Sequence, residues 1–185
     1  MKVAITGHTR GLGAEITKIF QANNHEVVGF SRHNGWDIRK QDVRKKLIEA
    51  LEKEGFDCFI NNAYPYSNYK NMDGFAQVDL LNEAWLLWEK QEDKVIVTIG
   101  SHSAETVKNY YHPYSVHKKA IDDTCKQLRN CRPWPHIINV KPEYVDTDIV
   151  KHINAKKMAA VDVAELIYNV VTHKLKIYDI VFSAR

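Results

Sequence analysis

Short runs that are apolar almost throughout alternate with amphipathic runs along the whole sequence, and this alternation leaves few folds open. KVAIT (2–6), EVVGFS (26–31), DCFINNA (57–63), KVIVTIG (94–100), HIINVKP (136–142) and IYDIVFS (177–183) have the length and β-branched content of strands. Between them, GAEITKIFQANN (13–24), VRKKLIEALEKEG (43–55), LLNEAWLLWEKQ (80–91), a segment from about His112 to Asn130, and VDVAELIYNVVTH (161–173) read as helices, with apolar residues at helical spacing in the clearest of them. A strand with no polar face must be covered on both sides, so the pattern predicts an α/β chain built on a doubly wound parallel sheet. At 185 residues the chain holds one well-buried core, which makes 1–185 a single domain. RPWPH (132–136) reads as a loop between a helix and a strand, not as a linker.

Several function classes are disfavoured at once. The net charge is +3, and the cations are interleaved with acids along the chain, which argues against nucleic acid or a membrane as the main partner. Cys58, Cys125 and Cys131 form no CxxC pair and are odd in number, as expected for a reducing compartment. The first strand begins at once and no apolar run reaches membrane-spanning length, so the expected location is cytoplasmic. His112 and His117 are five residues apart, off a common helical face, and the other histidines are scattered, so no metal site is expected.

In a doubly wound sheet the ligand sits at the carboxyl ends of the strands. The first such loop, TGHTRGLG (6–13), runs from strand to helix. Gly7 suits the sharp turn, Gly11 a close backbone approach to a pyrophosphate, and Gly13 tight helix packing, with the helix N-terminus facing the anion. Later in the chain, YSVHK (114–118) sets a phenol and an ammonium four residues apart on one helical face. A free phenol titrates near ~10, and Lys118 would lower the Tyr114 value by Coulomb attraction, making Tyr114 a usable acid or base. Such a pair also occurs by chance on ordinary helices. Neither Tyr110 nor Tyr111 has a Lys four residues on, so the register is unambiguous, and both could line a pocket.

TGHTRGLG, the NNA of 61–63, Ser101 after a strand, and YSVHK stand in an order that resembles the short-chain dehydrogenases/reductases, in their compact form, with the usual thirteen residues from Ser101 to Tyr114. The resemblance implies a Rossmann-type fold and a catalytic set of Ser101, Tyr114 and Lys118. Ser101 would bond the substrate oxygen, Tyr114 would exchange the proton, and Lys118 would also bind the nicotinamide ribose. It implies further cofactor contacts from Gly7, Thr9, Arg10, Gly11, Leu12 and Gly13, from Asn62 and Ala63 with Asn61, and from Pro142, Val145 and Thr147. Ser31 and Arg32 close the second strand where an acid would select NAD; with Arg10 they favour NADP(H), since a guanidinium forks onto phosphate. In GWDI (35–38), Asp37 and Ile38 resemble the pair that meets the adenine.

The departures from the family pattern are equally specific. Between Ser31 and Asp37 there is no room for a helix, so a third strand would be short or ragged and the sheet edge trimmed. Tyr64 stands where Gly is usual, and its ring must swing outward or cover part of the cofactor. The family's helix Asn, which relays protons, is replaced by Asp79, with Asn82 as the weaker substitute. Glu143 follows Pro142 where Gly is usual. The lid segment DIVKHINAKKMAA (148–160) is short and predicts an open pocket, with Tyr64, Tyr66 and Tyr69 as one wall. Trp85 and Trp88, a turn apart, suit a helix-helix core or a subunit interface. The expected activity is NADPH-dependent reduction of a small carbonyl compound, or oxidation of the alcohol. The alternative is a non-catalytic NADP(H)-binding redox sensor or scaffold. By analogy, a homodimer or homotetramer follows.

Overall fold

The computed structural model describes residues 1–65, 72–106 and 112–185. Six strands, β1 (Lys2–Thr6), β2 (Glu26–Phe30), β3 (Cys58–Asn61), β4 (Val95–Ile99), β5 (His136–Pro142) and β6 (Asp179–Phe182), form one sheet in the order β2-β1-β3-β4-β5-β6. Every neighbouring pair is parallel. The helices are α1 (Gly11–Ala22), α2 (Gln41–Lys53), α3 (Ala76–Trp88), α4 (Pro113–Cys131) and α5 (Ala160–Val171).

The two-residue period of the strands sorts their side chains into two cores. Val3, Ile5, Cys58, Ile60, Val97, Ile99, Ile138 and Val140 face α1 and α5. Ala4, Phe59, Ile96 and Ile137 face the other way, onto Leu47, Leu51, Leu80, Trp85, Trp88, Ile121 and Cys125 of α2, α3 and α4. Both faces are thus dry, which is why these strands carry no polar alternation. Trp85 and Trp88 belong to this core, the first of the two expected roles.

One expectation needs correction. Among the described residues no strand lies between β2 and α2: a short 3₁₀ turn, Arg32–Asn34, leads through Gly35 to α2, and β2 is the edge of the sheet. The expected third strand is therefore absent, not ragged. Ile38 drops into the core instead, together with the Phe30 and Trp36 rings, which meet edge-on at 4.8 Å. From β1 the chain passes to β2 on one side, and α2 then carries it back to β3 on the other. That reversal opens a crevice between the carboxyl ends of β1 and β3, the place where open α/β sheets bind ligands.

Candidate active site

The crevice begins at the glycine turn. Gly7 has φ +73°, a backbone state that favours glycine, and its N–H donates to the Phe30 carbonyl at 2.7 Å. The first turn of α1 lies directly on this loop: a Cβ at Gly13 would stand 2.2 Å from the Gly7 carbonyl oxygen and 2.7 Å from Asn62 Nδ2. The N-cap Arg10 is extended, with no side-chain cap bond, and the first turn of α1 has no acid, so the positive end of the helix faces the crevice uncompensated. From β3, the Asn62 amide donates to the Thr6 carbonyl at 2.9 Å, while the Asn62 and Ala63 N–H groups share Thr6 Oγ1 at 3.0 and 2.9 Å. Thr147 closes the same cradle against Gly11. Pro142 ends β5, and Val145 pairs with Met158 in an isolated bridge that keeps the segment after β5 short.

Other residues predicted for this end are placed differently. Ser31 is buried and its Oγ lies 3.1 Å from Asn34 Oδ1, so its hydroxyl serves the turn after β2. Asn61 faces α3, not the crevice: its amide donates to the Gln77 carbonyl at 2.8 Å. Asp37 is gripped by Arg39 through Nε at 2.9 Å, and that hydrogen bond holds its carboxyl below the usual range. Leu12 and Ile38 place their side chains in the cores, leaving only backbone for a ligand. Thr9, Arg10 and Arg32 are exposed. Glu143 is exposed, which accommodates a side chain where glycine was expected.

At the other end of the crevice, α4 and the end of β4 bring the second set together. Pro113 stands in the first turn of α4, and His112 Nδ1 and Ser115 Oγ share a 2.6 Å hydrogen bond across it. Four residues of helix then carry Lys118 under Tyr114, with Nζ 5.5 Å from the centre of the Tyr114 ring. The ammonium is buried and donates to the Ile99 carbonyl at 2.6 Å, two residues before Ser101. Ser101 is buried as well, and its Oγ accepts from the Ser103 N–H at 3.1 Å. Burial brings Lys118 down from 10.5 to about 7, because no carboxylate bonds to it among the described residues.

The second acceptor of Lys118 is a residue that the sequence did not single out. Gln77 Oε1 takes Nζ at 2.8 Å, and Gln77 Nε2 donates to the Asn61 carbonyl at 2.9 Å, which fixes the amide so that its oxygen faces the amine. Asp79, expected in place of the family's proton-relaying helix Asn, pairs instead with Arg44 of α2 at 2.9 Å. The first turn of α3 was missed because Gln77 and Asp79 interrupt the apolar spacing; the available signal was a Gln one turn before the apolar run Leu80-Leu81.

Tyr64 does not swing outward. Its ring meets the Tyr114 ring edge-on at 5.0 Å and lies 5.2 Å from Lys118 Nζ. Its hydroxyl and His117 Nδ1 share a 2.7 Å bond, and the His117 ring fills the space over Gly74 and packs on Phe75. Behind Ser101, Lys141 of β5 bonds Glu105 at 2.6 Å and the buried Asp122 at 3.1 Å. Burial pushes the Asp122 carboxyl up, but Lys126 and Lys141 outweigh it and leave it at about 2. Tyr66, Tyr69, Tyr110 and Tyr111 lie outside the described residues.

This geometry has many counterparts among solved structures. A 3-alpha-hydroxysteroid dehydrogenase from Pseudomonas sp. B-0831, complexed with NADH, superposes with a TM-score of 0.81 at 16% identity, over 99% of this chain and 95% of that one. A short chain dehydrogenase from Burkholderia cenocepacia J2315 in complex with NADP gives 0.79 at 16% identity, over 99% and 88%. The fold is that of the short-chain dehydrogenases. An alcohol dehydrogenase from the archaeon Thermococcus sibiricus, complexed with 5-hydroxy-NADP, agrees, with a TM-score of 0.74 at 17% identity over 98% and 96% of the two chains. No protein-family model matches the sequence, and no curated protein does. Among the described residues no three His, Cys, Asp or Glu side chains cluster to hold a metal, and no helix is long and apolar enough to cross a membrane.

Proposed function

We propose that the chain is a short-chain dehydrogenase/reductase acting as one NADP(H)-binding domain, and that it reduces a small carbonyl compound or oxidises the corresponding alcohol. The observation that carries this reading is Lys118: a buried amine without a carboxylate partner among the described residues, set against Tyr114 and bonded to the carbonyl of Ile99, two residues before Ser101. A stability-driven core has little use for such a group. A dinucleotide fits the other end of the crevice. The Gly7–Gly13 contact leaves no room for a Cβ, and the uncapped α1 start suits a pyrophosphate.

When bound, NADPH supplies the hydride. Tyr114 donates its proton to the substrate oxygen as negative charge develops there, and Ser101 donates a hydrogen bond to the same oxygen. Lys118, held between Gln77 and Ile99, stabilises the phenolate that remains on Tyr114. Arg10 and Arg32 receive the 2′-phosphate at the rim. Homo-oligomer formation belongs to the same proposal, and light scattering in solution tests it.

Tyr64 favours a second reading. Its ring lies against both Tyr114 and Lys118, which suits a sensor that binds NADP(H) without turnover. One assay separates the two: NADPH oxidation followed at the nicotinamide absorbance over aldehydes, ketones, quinones and pterins, with Tyr114→Phe beside the wild type. Turnover that vanishes in Tyr114→Phe while NADPH still binds supports the enzyme. Binding without turnover across the screen supports the sensor, and full activity in the variant removes Tyr114 from its role.

A further inference from the structure

The ions buried behind Ser101 take no part in the proposed chemistry, and they are a costly choice for a core, where apolar residues of similar volume often serve stability as well. Lys141 and Asn139 of β5 and Asp122 of α4 are all buried. Lys141 Nζ donates to Asp122 Oδ1 at 3.1 Å and to Glu105 at 2.6 Å, with Asp179 further off at 3.9 Å and itself held by Arg129. Asn139 Nδ2 donates to the same Asp122 oxygen at 3.1 Å, which turns its amide oxygen towards Gly100. A Cβ at Gly100 would lie 2.4 Å from that oxygen and 3.1 Å from Lys141 Cγ, so the backbone just before Ser101 rests directly on both side chains. Ser101 then caps the 3₁₀ turn His102–Ala104, and the Glu105 that Lys141 holds is the residue that ends this turn. Asp122 stands four residues after Lys118, one turn along the same face of α4. Lys141 thus grips the Ser101 turn at both ends and ties it to the helix that carries Tyr114 and Lys118.

We propose that Lys141 is a positioning residue: by joining Glu105 to Asp122 it sets the Ser101 hydroxyl in its working place relative to Tyr114. The inference rests on the oxidoreductase reading above and adds to it a residue that acts through Ser101. The Ser103 N–H already donates to Ser101 Oγ at 3.1 Å, which leaves the hydroxyl proton for the substrate oxygen. That use requires the turn to hold still, since a displacement of about 1 Å can cost about a hundred-fold in rate. Charge-assisted bonds on both sides of Lys141 supply that fixity, because they are short and directional.

The test compares the wild type with Glu105→Ala, Glu105→Gln and Lys141→Met, with circular dichroism to check folding. Glu105 is exposed, so its variants keep the core intact even if Lys141→Met, which leaves Asp122 to Lys126 and Lys119, does not fold. Hydrogen exchange of the Ser103 amide, followed by NMR without cofactor, reads the Ser101 turn, and NADPH oxidation with the fastest carbonyl compound of the screen above reads catalysis. In Glu105→Ala the Ser103 amide is expected to exchange about ten-fold faster. Its kcat is expected to fall roughly ten- to hundred-fold, with KM and NADPH affinity little changed. Glu105→Gln, whose amide oxygen still accepts from Lys141, restores both. Unchanged exchange or unchanged kcat in Glu105→Ala, or a loss that Glu105→Gln does not restore, overturns the role of Lys141 and leaves the oxidoreductase reading standing. A wild type that oxidises NADPH with none of the compounds overturns that reading, and the exchange rates then decide alone whether Lys141 fixes the turn.

Discussion

Lys118→Met isolates the cost of keeping an amine in the core. Burial brings the Lys118 ammonium from 10.5 to about 7, whereas the unfolded chain restores the ordinary value. Between those two pH values the unfolded chain holds a proton that the folded chain has shed, so stability rises with pH through this window. The penalty is fully present below about 7 and gone above about 10.5. At ~1.4 kcal/mol per pH unit the window is worth about 5 kcal/mol. Methionine keeps the length of the side chain and removes the charge. It also leaves Gln77 Oε1 and the Ile99 carbonyl without their donor, at about 1–3 kcal/mol each, but that loss does not change with pH.

The pH dependence of the difference is therefore the decisive quantity, and its sign is fixed. Urea unfolding followed by circular dichroism at pH 7, 8, 9 and 10 should show the variant gaining on the wild type by about 4 kcal/mol as pH falls from 10 to 7. Other titrating groups act on both proteins and cancel. A difference flat to within ~1 kcal/mol over that range would mean that Lys118 is solvated or paired in the folded state, and the argument from its burial would fail. The same variant should show no turnover, which ties the cost to the function.

Further outcomes follow from other contacts. Gln77→Leu should lower kcat with little change in KM, and Gln77→Glu, which sets a carboxylate against the amine, should move the Lys118-controlled limb of the pH–rate profile to higher pH; identical profiles in both variants would make Gln77 merely structural. Gly13→Ala forces a methyl onto the Gly7 carbonyl and should cost about 1–3 kcal/mol, read as a melting point lower by roughly 3–10 °C, together with weaker NADPH binding. Replacing Arg10 and Arg32 together by Ala should weaken NADPH by about ten-fold or more and NADH much less; equal losses would remove the basis for the NADP(H) assignment.

Local pattern was enough for the six strands and five helices, because dry strands and amphipathic helices write their periods into the sequence. The glycine turn and the Tyr114–Lys118 register were legible for the same reason: each is set by neighbours within one turn of helix or loop. Contacts between distant segments were not. Gln77 meets Lys118 across forty-one residues of chain. Asp79 sits only two positions from Gln77, yet two positions is about 200° around a helix, which turns it to Arg44 and away from the site. Likewise, nothing near Tyr64 in sequence reveals that His117 holds its ring against Tyr114 and Lys118. Ser31 looked available because its turn partner, Asn34, binds it only once the chain has coiled into a 3₁₀ turn.

The missing third strand alters how this molecule can meet copies of itself. With β2 outermost, its outward backbone groups form an open ladder of the kind onto which a foreign strand can add. The Asn34 amide plugs that ladder, donating to the Gly29 carbonyl at 2.8 Å. A side chain from the adjoining bend thus does what an additional β-segment does in a wider sheet. Strand addition along this border is blunted, and the sheet's other edge is β6.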